Sequence, residues 1–264
     1  MKEDYNIIFV VLVYRNLQDL QDFFAHNKAE NSHTVVVNSF YDEKSENDFR
    51  KIASNNGADF ISVPNNGYGA GNNAGVKYVL EHYDFKYLII SNADVIIDKF
   101  DFNSLQNHTD CIIAPKIVSI NGKKQNPCAP FKPTKAEAYL TYLLYKGNHR
   151  KLIWIIFAYS RLKKILFNLI YPMKKNIFSA HGAFVILPKS VLETLAPLYN
   201  EKMFLFKEEA HVAMRARKEG VSTVYLPSIV IKHKEDGSMK VASINVFNME
   251  RQSYMEYYNN WFKR

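Results

Sequence analysis

The sequence predicts an α/β fold: a mixed, mostly parallel sheet flanked by helices, with a basic and apolar helical insert and a C-terminal helical tail. Three observations carry that expectation. Short apolar runs alternate with helically spaced segments over the first hundred residues, as in a sheet wound on the Rossmann pattern. The segment Asn65-Asn66-Gly67-Tyr68-Gly69-Ala70-Gly71-Asn72-Asn73-Ala74-Gly75 precedes an apolar run that leads to a lone acid, Asp94. The chain has 264 residues, 47% hydrophobic and 23% charged, enough for one large domain with an appended subdomain.

Taken in order, Ile7 to Val13 is the continuous apolar run of a strand buried on both faces. Leu17, Leu20, Phe23 and Phe24 have helical spacing. Thr34 to Val37 predicts a second strand, Phe49 to Asn56 a helix closed by Gly57, and Phe60 to Val63 a third strand stopped by Pro64. Asn65 to Gly75 reads as a turn opening a helix over Ala74 to His82. Its glycines permit positive φ and close approach to a ligand, and its amides supply donors and acceptors. Tyr87 to Ile90 predicts the fourth strand. Asp94 then stands where the chain leaves the sheet, a place suited to holding a metal over a diphosphate. The second half offers strands at Ile112 to Pro115, Ala183 to Leu187, Thr223 to Leu226 and Ile229 to Lys232. It offers helices at Ser190 to Leu198, Glu208 to Glu219 and, in the tail, from about Val246 to Arg264.

The formal charge of +8 is local. Between Glu137 and Glu193 there is no acid, while Lys146, Arg150, Lys151, Arg161, Lys163, Lys164, Lys174, Lys175 and Lys189 supply nine cations. The rest of the chain is therefore close to neutral, which excludes a general nucleic-acid-binding composition. Within this stretch Leu152 to Tyr159 is apolar on every side but too short to span a bilayer. Arg161, Lys163 and Lys164 follow it, then Ile165-Leu166-Phe167 and Leu169-Ile170-Tyr171. Such a segment suits the headgroup region of an anionic membrane; a buried helical subdomain with solvated lysines is the alternative. Cys111 and Cys128 make no disulfide framework, and Met1 to Tyr5 leads straight into a strand-like run, so a cytoplasmic setting is expected.

The segment Asn65 to Gly75 resembles the N-x-G-[FY]-[GA]-x-G-N-N-x-G element of glycosyltransferase family 2, in its rhamnosyltransferase-like branch. Ser91-Asn92-Ala93-Asp94 resembles that family's shortened metal motif. Met203 to Arg215 resembles its F-x-Y-x-E-D-x-D-L-x-x-R helix, and Ile231 to Ser238 its H-x-x-x-G-S ending. Four motifs in order, over residues 5 to 240, are more specific than any one. The resemblance implies a GT-A domain over residues 1–240. Residues 1–100 form its nucleotide-binding half, 101–240 its acceptor half, 138–178 a membrane-proximal helical insert, and 241–264 the tail. It implies inverting transfer from a UDP- or dTDP-sugar, rhamnose-like, to a hydroxyl of a saccharide on a lipid carrier. Divalent Mn²⁺ or Mg²⁺ would be the cofactor. The setting implied is the inner face of the plasma membrane, in bacterial surface polysaccharide synthesis.

Glycosyl transfer needs a stabilised leaving diphosphate, a deprotonated acceptor hydroxyl and tolerance of a positively charged sugar-like transition state. Under the resemblance Asp94 and His233 are the metal ligands. Glu209 is the general base, with Glu208 the alternative base or an orienting partner. Asn65, Gly67, Gly71, Asn72 and Asn73 approach the donor, Tyr14 and Asn38 lie around its nucleobase or ribose, and Asn92 belongs to the metal motif. Arg215 reaches the diphosphate or an internal acid, and the His181-Gly182 turn helps form the acceptor side. The chain departs from the family where Asn38 replaces an acid after the second strand, Asn92 the first metal carboxylate, Glu209 an Asp and His211 a second Asp. Structural roles fit the same residues: Asp94 as a turn cap, His233 as a surface strand end, the two glutamates as helix-start acids. A nucleotidyltransferase would want a glycine-rich basic loop after the first strand, and Tyr14-Arg15-Asn16-Leu17 has no glycine. A non-catalytic membrane- or glycan-binding module would need neither Glu208 nor Glu209. A dinucleotide oxidoreductase would carry its glycine fingerprint after the first strand.

Overall fold

The computed structural model describes residues 2–27, 29–170, 176–234 and 246–263. The first half alternates strand and helix: β1 (Glu3–Val13), α1 (Leu17–His26), β2 (Ser32–Ser39), α2 (Glu43–Asn55), β3 (Asp59–Val63), α3 (Tyr68–His82) and β4 (Tyr83–Asn92). There follow β5 (Val95–Lys99), β6 (Cys111–Ser119), α4 (Lys135–Lys146), α5 (Arg150–Ile170) and β7 (Asn176–Ile177). The chain continues through β8 (Phe184–Pro188), α6 (Lys189–Leu195), α7 (Glu208–Lys218), β9 (Ser222–His233) and α8 (Val246–Trp261). Among the described residues these strands form one nine-stranded sheet in the order β3-β2-β1-β4-β8-β6-β9-β5, with β7 pairing β9. β3, β2, β1 and β4 run parallel, and β8 lies antiparallel between β4 and β6.

The apolar runs became central strands because both faces are covered. Phe9, Val11, Val36 and Ile89 point to one buried cluster with Leu20, Phe23 and Phe49 of α1 and α2. Ile8, Val10, Val35 and Ile90 point to the other, with Val76 and Val79 of α3 and Leu192 and Leu195 of α6. Helix α2 starts six residues before the expected Phe49. Its first turns are polar and show no apolar period; the start is set by Asp42, whose side chain accepts from Ser45 N–H at 2.7 Å. The two expected strands at 223–226 and 229–232 are one strand, β9, whose register against β6 shifts between Pro115 and Lys116.

The glycine-rich segment is helical from Tyr68, where a turn was expected as far as Ala74. Gly67, at φ 106°, turns the chain, and a Cβ there would meet the Phe204 backbone at 2.4 Å. A Cβ on Gly71 would meet Leu12, and one on Gly75 would meet Val10 and Val37. These glycines let α3 lie close on β1 and β2, so the close approach is to protein.

A third cluster joins the insert to the tail: Ala138 and Tyr145 of α4 and Ile153 of α5 pack with Tyr254, Tyr257 and Tyr258 of α8. Arg251 donates to the Tyr145 carbonyl and Tyr254 to the Ala138 carbonyl. The outer face of α5 is left bare, with Trp154 at 70% and Leu169 at 72% exposure. Among the described residues two of these cations do find acids, correcting the expectation drawn from the acid-free run: Lys163 pairs with Glu137 at 2.8 Å, and Lys189 with Asp84 at 2.5 Å.

Candidate active site

Asp94 and His233, 139 positions apart in sequence, meet because β5 folds back along β9. Val95 is the register partner of His233, and Lys234 N–H donates to the Asp94 carbonyl at 2.9 Å. Both side chains are buried, with His233 Nε2 3.2 Å from Asp94 Oδ1. That nitrogen makes no hydrogen bond. The other ring nitrogen, Nδ1, lies 2.9 Å from Gln125 Oε1. An amide oxygen only accepts, so Nδ1 donates to it, and in the neutral ring Nε2 offers a lone pair beside a carboxylate oxygen. With the ring neutral, these are two buried acceptors facing each other, an arrangement that fits a divalent cation. The polar partner behind the imidazole is the usual way a ligating histidine is oriented. Among the described residues no cluster of three or more His, Cys, Asp or Glu forms, so such an ion would draw its other ligands from a bound diphosphate and water, as Mg²⁺ and Mn²⁺ commonly do. The burial of His233 excludes its reading as a surface strand end.

The glutamates arrive from the other side. Phe206 and Lys207 precede α7 in the left-handed region, at φ 75° and 69°, an uncommon pair for residues with side chains. Glu209 then reaches the 181–183 turn, where Gly182 N–H donates to its Oε1 at 3.2 Å. A Cβ at Gly182 would lie 2.6 Å from that oxygen, so a side chain there would displace the carboxylate from this position. The same turn is tied to every other part of the site. Tyr68 O–H donates to the Gly182 carbonyl at 2.8 Å, and Asn92 N–H to the Ala183 carbonyl at 2.9 Å. The His181 ring lies 5.7 Å from that of His233, centroid to centroid. The His181–Ala183 turn thus lies between Glu209 on one side and His233, with its partner Asp94, on the other.

Glu208 is fully buried, with one carboxylate oxygen unpartnered. Burial, and secondarily the charge of Glu209, push its carboxyl up to about 8. Burial first raises the Tyr68 and Tyr199 hydroxyls well above their ordinary value, with Tyr199 and then the two glutamates adding to it at Tyr68, and the glutamates at Tyr199. Because the folded state keeps the Glu208 proton where the unfolded chain has lost it, stability falls as pH rises from the ordinary carboxylate range to about 8. Glu208→Gln removes that loss. Its Tm relative to wild type should rise by about 2 °C or more between pH 5 and pH 8.5; a difference that does not change with pH would refute the buried proton.

Several residues expected to touch the donor do structural work. Asn73 bonds Tyr199 through both ends of its amide, at 2.9 Å each, and reaches Glu201 at 3.0 Å, pinning the 199–201 loop. Arg215 donates to the carbonyls of Pro197 and Leu198, and among the described residues it forms no ion pair with an acid. Gly67 and Gly71 face protein, as described. Asn72 is buried and donates to the Tyr68 carbonyl at 3.0 Å, leaving its Oδ1 unpartnered. Asn65 is half-buried just ahead of Gly67. Asn38 donates to Ser62 at 3.0 Å, at the carboxyl end of β2. Tyr14 ends β1 with its ring 5.9 Å from Tyr41, and the Arg15 guanidinium sits 3.7 Å from the Tyr41 ring centre. Glu235 to Ser238 of the last motif lie outside the described residues.

Sequence reasoning gave no role to Tyr68, Gln125 or Tyr41. Tyr68 alone had a signal, the aromatic position of its motif. It also missed Lys234, whose ammonium lies 3.5 Å from Asp19 and bonds Asp22 beside the Asp94 pair. A hollow of about 680 Å³ runs along the outer side of α3 between Pro64, Lys77 and Pro197. None of the four acidic and imidazole groups lines it, so convergent chemistry identifies the site and volume does not.

No family model matches the chain. It is 27% identical over 227 residues to the low-salt glycan biosynthesis hexosyltransferase Agl10 of Haloferax volcanii, covering 84% of this chain and 64% of that protein. Its structure resembles that of GalNAc-T7 with UDP, GalNAc and Mn²⁺: TM-score 0.55, 11% identity, 87% of this chain and 44% of that one. It also resembles S. aureus TarS: TM-score 0.54, 12% identity, 87% of this chain and 36% of that one. The chain thus spans less than two thirds of each of these relatives. On this architecture and these likenesses, the chain has the GT-A fold and resembles the glycosyltransferases built on it.

Proposed function

We propose that the chain is an inverting glycosyltransferase that moves a hexosyl or rhamnosyl group from a UDP- or dTDP-sugar to a hydroxyl of a lipid-linked saccharide. The observation that carries the reading is the approach of Glu209 and of the Asp94–His233 pair to the same 181–183 turn. Glu209 accepts the proton of the acceptor hydroxyl. The hydroxyl oxygen forms a bond to the anomeric carbon as the bond to the diphosphate oxygen breaks on the opposite face. The products are an inverted glycoside, a nucleoside diphosphate and protonated Glu209. Mn²⁺ or Mg²⁺ held by Asp94 and His233 would supply Lewis-acid stabilisation of the leaving diphosphate. Tyr14, Arg15 and Tyr41 offer an aromatic and cationic edge for a nucleobase at the carboxyl ends of β1 and β2. A panel of UDP-, dTDP- and GDP-sugars, scored for Mn²⁺-dependent thermal stabilisation, tests the donor class; stabilisation by none of them refutes the reading.

The lipid carrier and a cytoplasmic, peripheral location at an anionic membrane are supported by α5. Ile155, Leu162, Leu166 and Leu169 recur at helical spacing and are all exposed, as are Leu152, Trp154 and Ile165. A contiguous apolar face of this kind marks a docking surface. No helix among the described residues is long and apolar enough to cross a membrane. The double substitution Trp154→Asp, Ile155→Asp should lower partitioning onto anionic vesicles by about tenfold or more, since it forfeits burial of two large apolar side chains. Unchanged partitioning would refute membrane contact by this helix.

A further inference from the structure

Tyr68, the first residue of α3, touches both sides of the contact that holds Glu209. Its backbone N–H donates at 2.9 Å to the carbonyl of Phe204, in the loop that delivers α7. Its hydroxyl donates at 2.8 Å to the carbonyl of Gly182, in the turn that receives the carboxylate. The Gly182 N–H then donates to Glu209 Oε1 at 3.2 Å. Each residue of the turn has its own tie: the Asn126 side chain accepts from His181 N–H at 2.8 Å, Asn92 N–H donates to the Ala183 carbonyl at 2.9 Å, and Tyr68 holds Gly182 between them. Tyr68 is itself placed without help from its hydroxyl. Gly67 ahead of it has no Cβ to strike the Phe204 backbone, and Asn72 donates to its carbonyl at 3.0 Å. Its ring meets that of Tyr199 edge-on, 5.7 Å between centres, and Asn73 anchors Tyr199 at 2.9 Å.

We infer that Tyr68 is a positioning residue for Glu209: its hydroxyl fixes the Gly182 peptide, and through that peptide the place from which the base meets the acceptor hydroxyl. A phenol has one proton, and this one is spent on a backbone carbonyl, so Tyr68 acts through the turn and gives no proton to a substrate. Small errors in the placement of a reacting group cost rate steeply, which gives a single hydroxyl leverage here. The glycine-rich segment thereby gains a second duty. Its glycines let α3 lie on β1 and β2, and its tyrosine aligns the base. The effect on rate rests on the transferase reading, whereas the tie between Tyr68 and the Glu209 turn does not.

Tyr68→Phe in the full chain is the test, since it removes the hydroxyl and keeps the ring contact and the backbone bond to Phe204. The assay follows release of nucleoside diphosphate from the sugar nucleotide that stabilises the wild type with Mn²⁺, with water as the acceptor. The variant should lose about tenfold in kcat, while donor KM and the Mn²⁺-dependent shift in Tm stay within about twofold. In a Glu209→Gln background the same substitution should change kcat by less than about twofold, because no base is left to align. A second readout needs no turnover. ¹⁵N-glycine labelling reports on ten glycines, and the Gly182 amide is the signal lost in Gly182→Ala. Tyr68→Phe should move that signal and speed its exchange with solvent about tenfold. Wild-type kcat in Tyr68→Phe, or an equal loss in both backgrounds, overturns the positioning role. An unmoved Gly182 signal overturns the tie itself. A moved signal in a chain that no sugar nucleotide stabilises sinks the transferase reading, and the effect on rate with it, and leaves the tie to the Glu209 turn standing.

Discussion

Glu209→Gln lowers kcat by about 10²- to 10⁴-fold, the usual worth of a general base, while donor affinity stays within about threefold. The substitution keeps the shape that the Gly182 backbone holds. The amide oxygen can still accept from Gly182 N–H, as Glu209 Oε1 does at 3.2 Å, so the turn and α7 keep their places. What is lost is the oxygen that takes the proton. Glu208→Gln is the companion measurement. Glu208 is fully buried and holds its proton to about pH 8, so it is poorly prepared to accept another at neutral pH. Its removal should cost much less than the loss at Glu209. A Glu209→Gln enzyme that keeps a third of its kcat, or a larger loss at Glu208, would transfer the role of base.

Asp94→Ala abolishes the stabilisation that Mn²⁺ and a nucleoside diphosphate together give the wild type. Among the described residues two side chains, Asp94 and His233, are arranged for the ion, and the substitution removes the charged one. His233 keeps its orientation from Gln125 at 2.9 Å, but a single neutral imidazole holds such an ion weakly. The expected loss of apparent affinity is about a hundredfold. Wild-type stabilisation of several degrees at saturating ligand should therefore vanish at the same concentrations. The variant should remain folded without ligand, since Lys234 and β5 are held to this edge by backbone bonds that Ala preserves. Full retention of the shift would remove Asp94 from the donor site.

The strands of the first half were legible because fully buried parallel strands leave unbroken apolar runs such as Ile7 to Val13. The acids were legible because they stand at element ends, Asp94 past β4 and Glu208 and Glu209 opening α7. Glycine misled in α3. In sequence it signals a turn, whereas Gly71 and Gly75, one helical turn apart, remove side chains from the face that lies on Leu12, Val10 and Val37. Asn73 and Arg215 misled for another reason. An amide or guanidinium that pins a distant loop is spelled the same as one that holds a ligand, and the partner of Asn73 lies 126 residues away. The partners of His233 and Asp19 were likewise hidden, since Gln125 and Lys234 reach them only through the pairing of β6, β9 and β5.

Crystals grown with UDP and MnCl₂, measured at a wavelength where manganese scatters anomalously, address the central claim most directly. The account predicts one anomalous peak about 2.0–2.3 Å from both Asp94 Oδ1 and His233 Nε2, with diphosphate density between that peak and the turn that carries Gly182. A peak elsewhere, or a nucleotide lodged in the hollow along the outer side of α3, would contradict it.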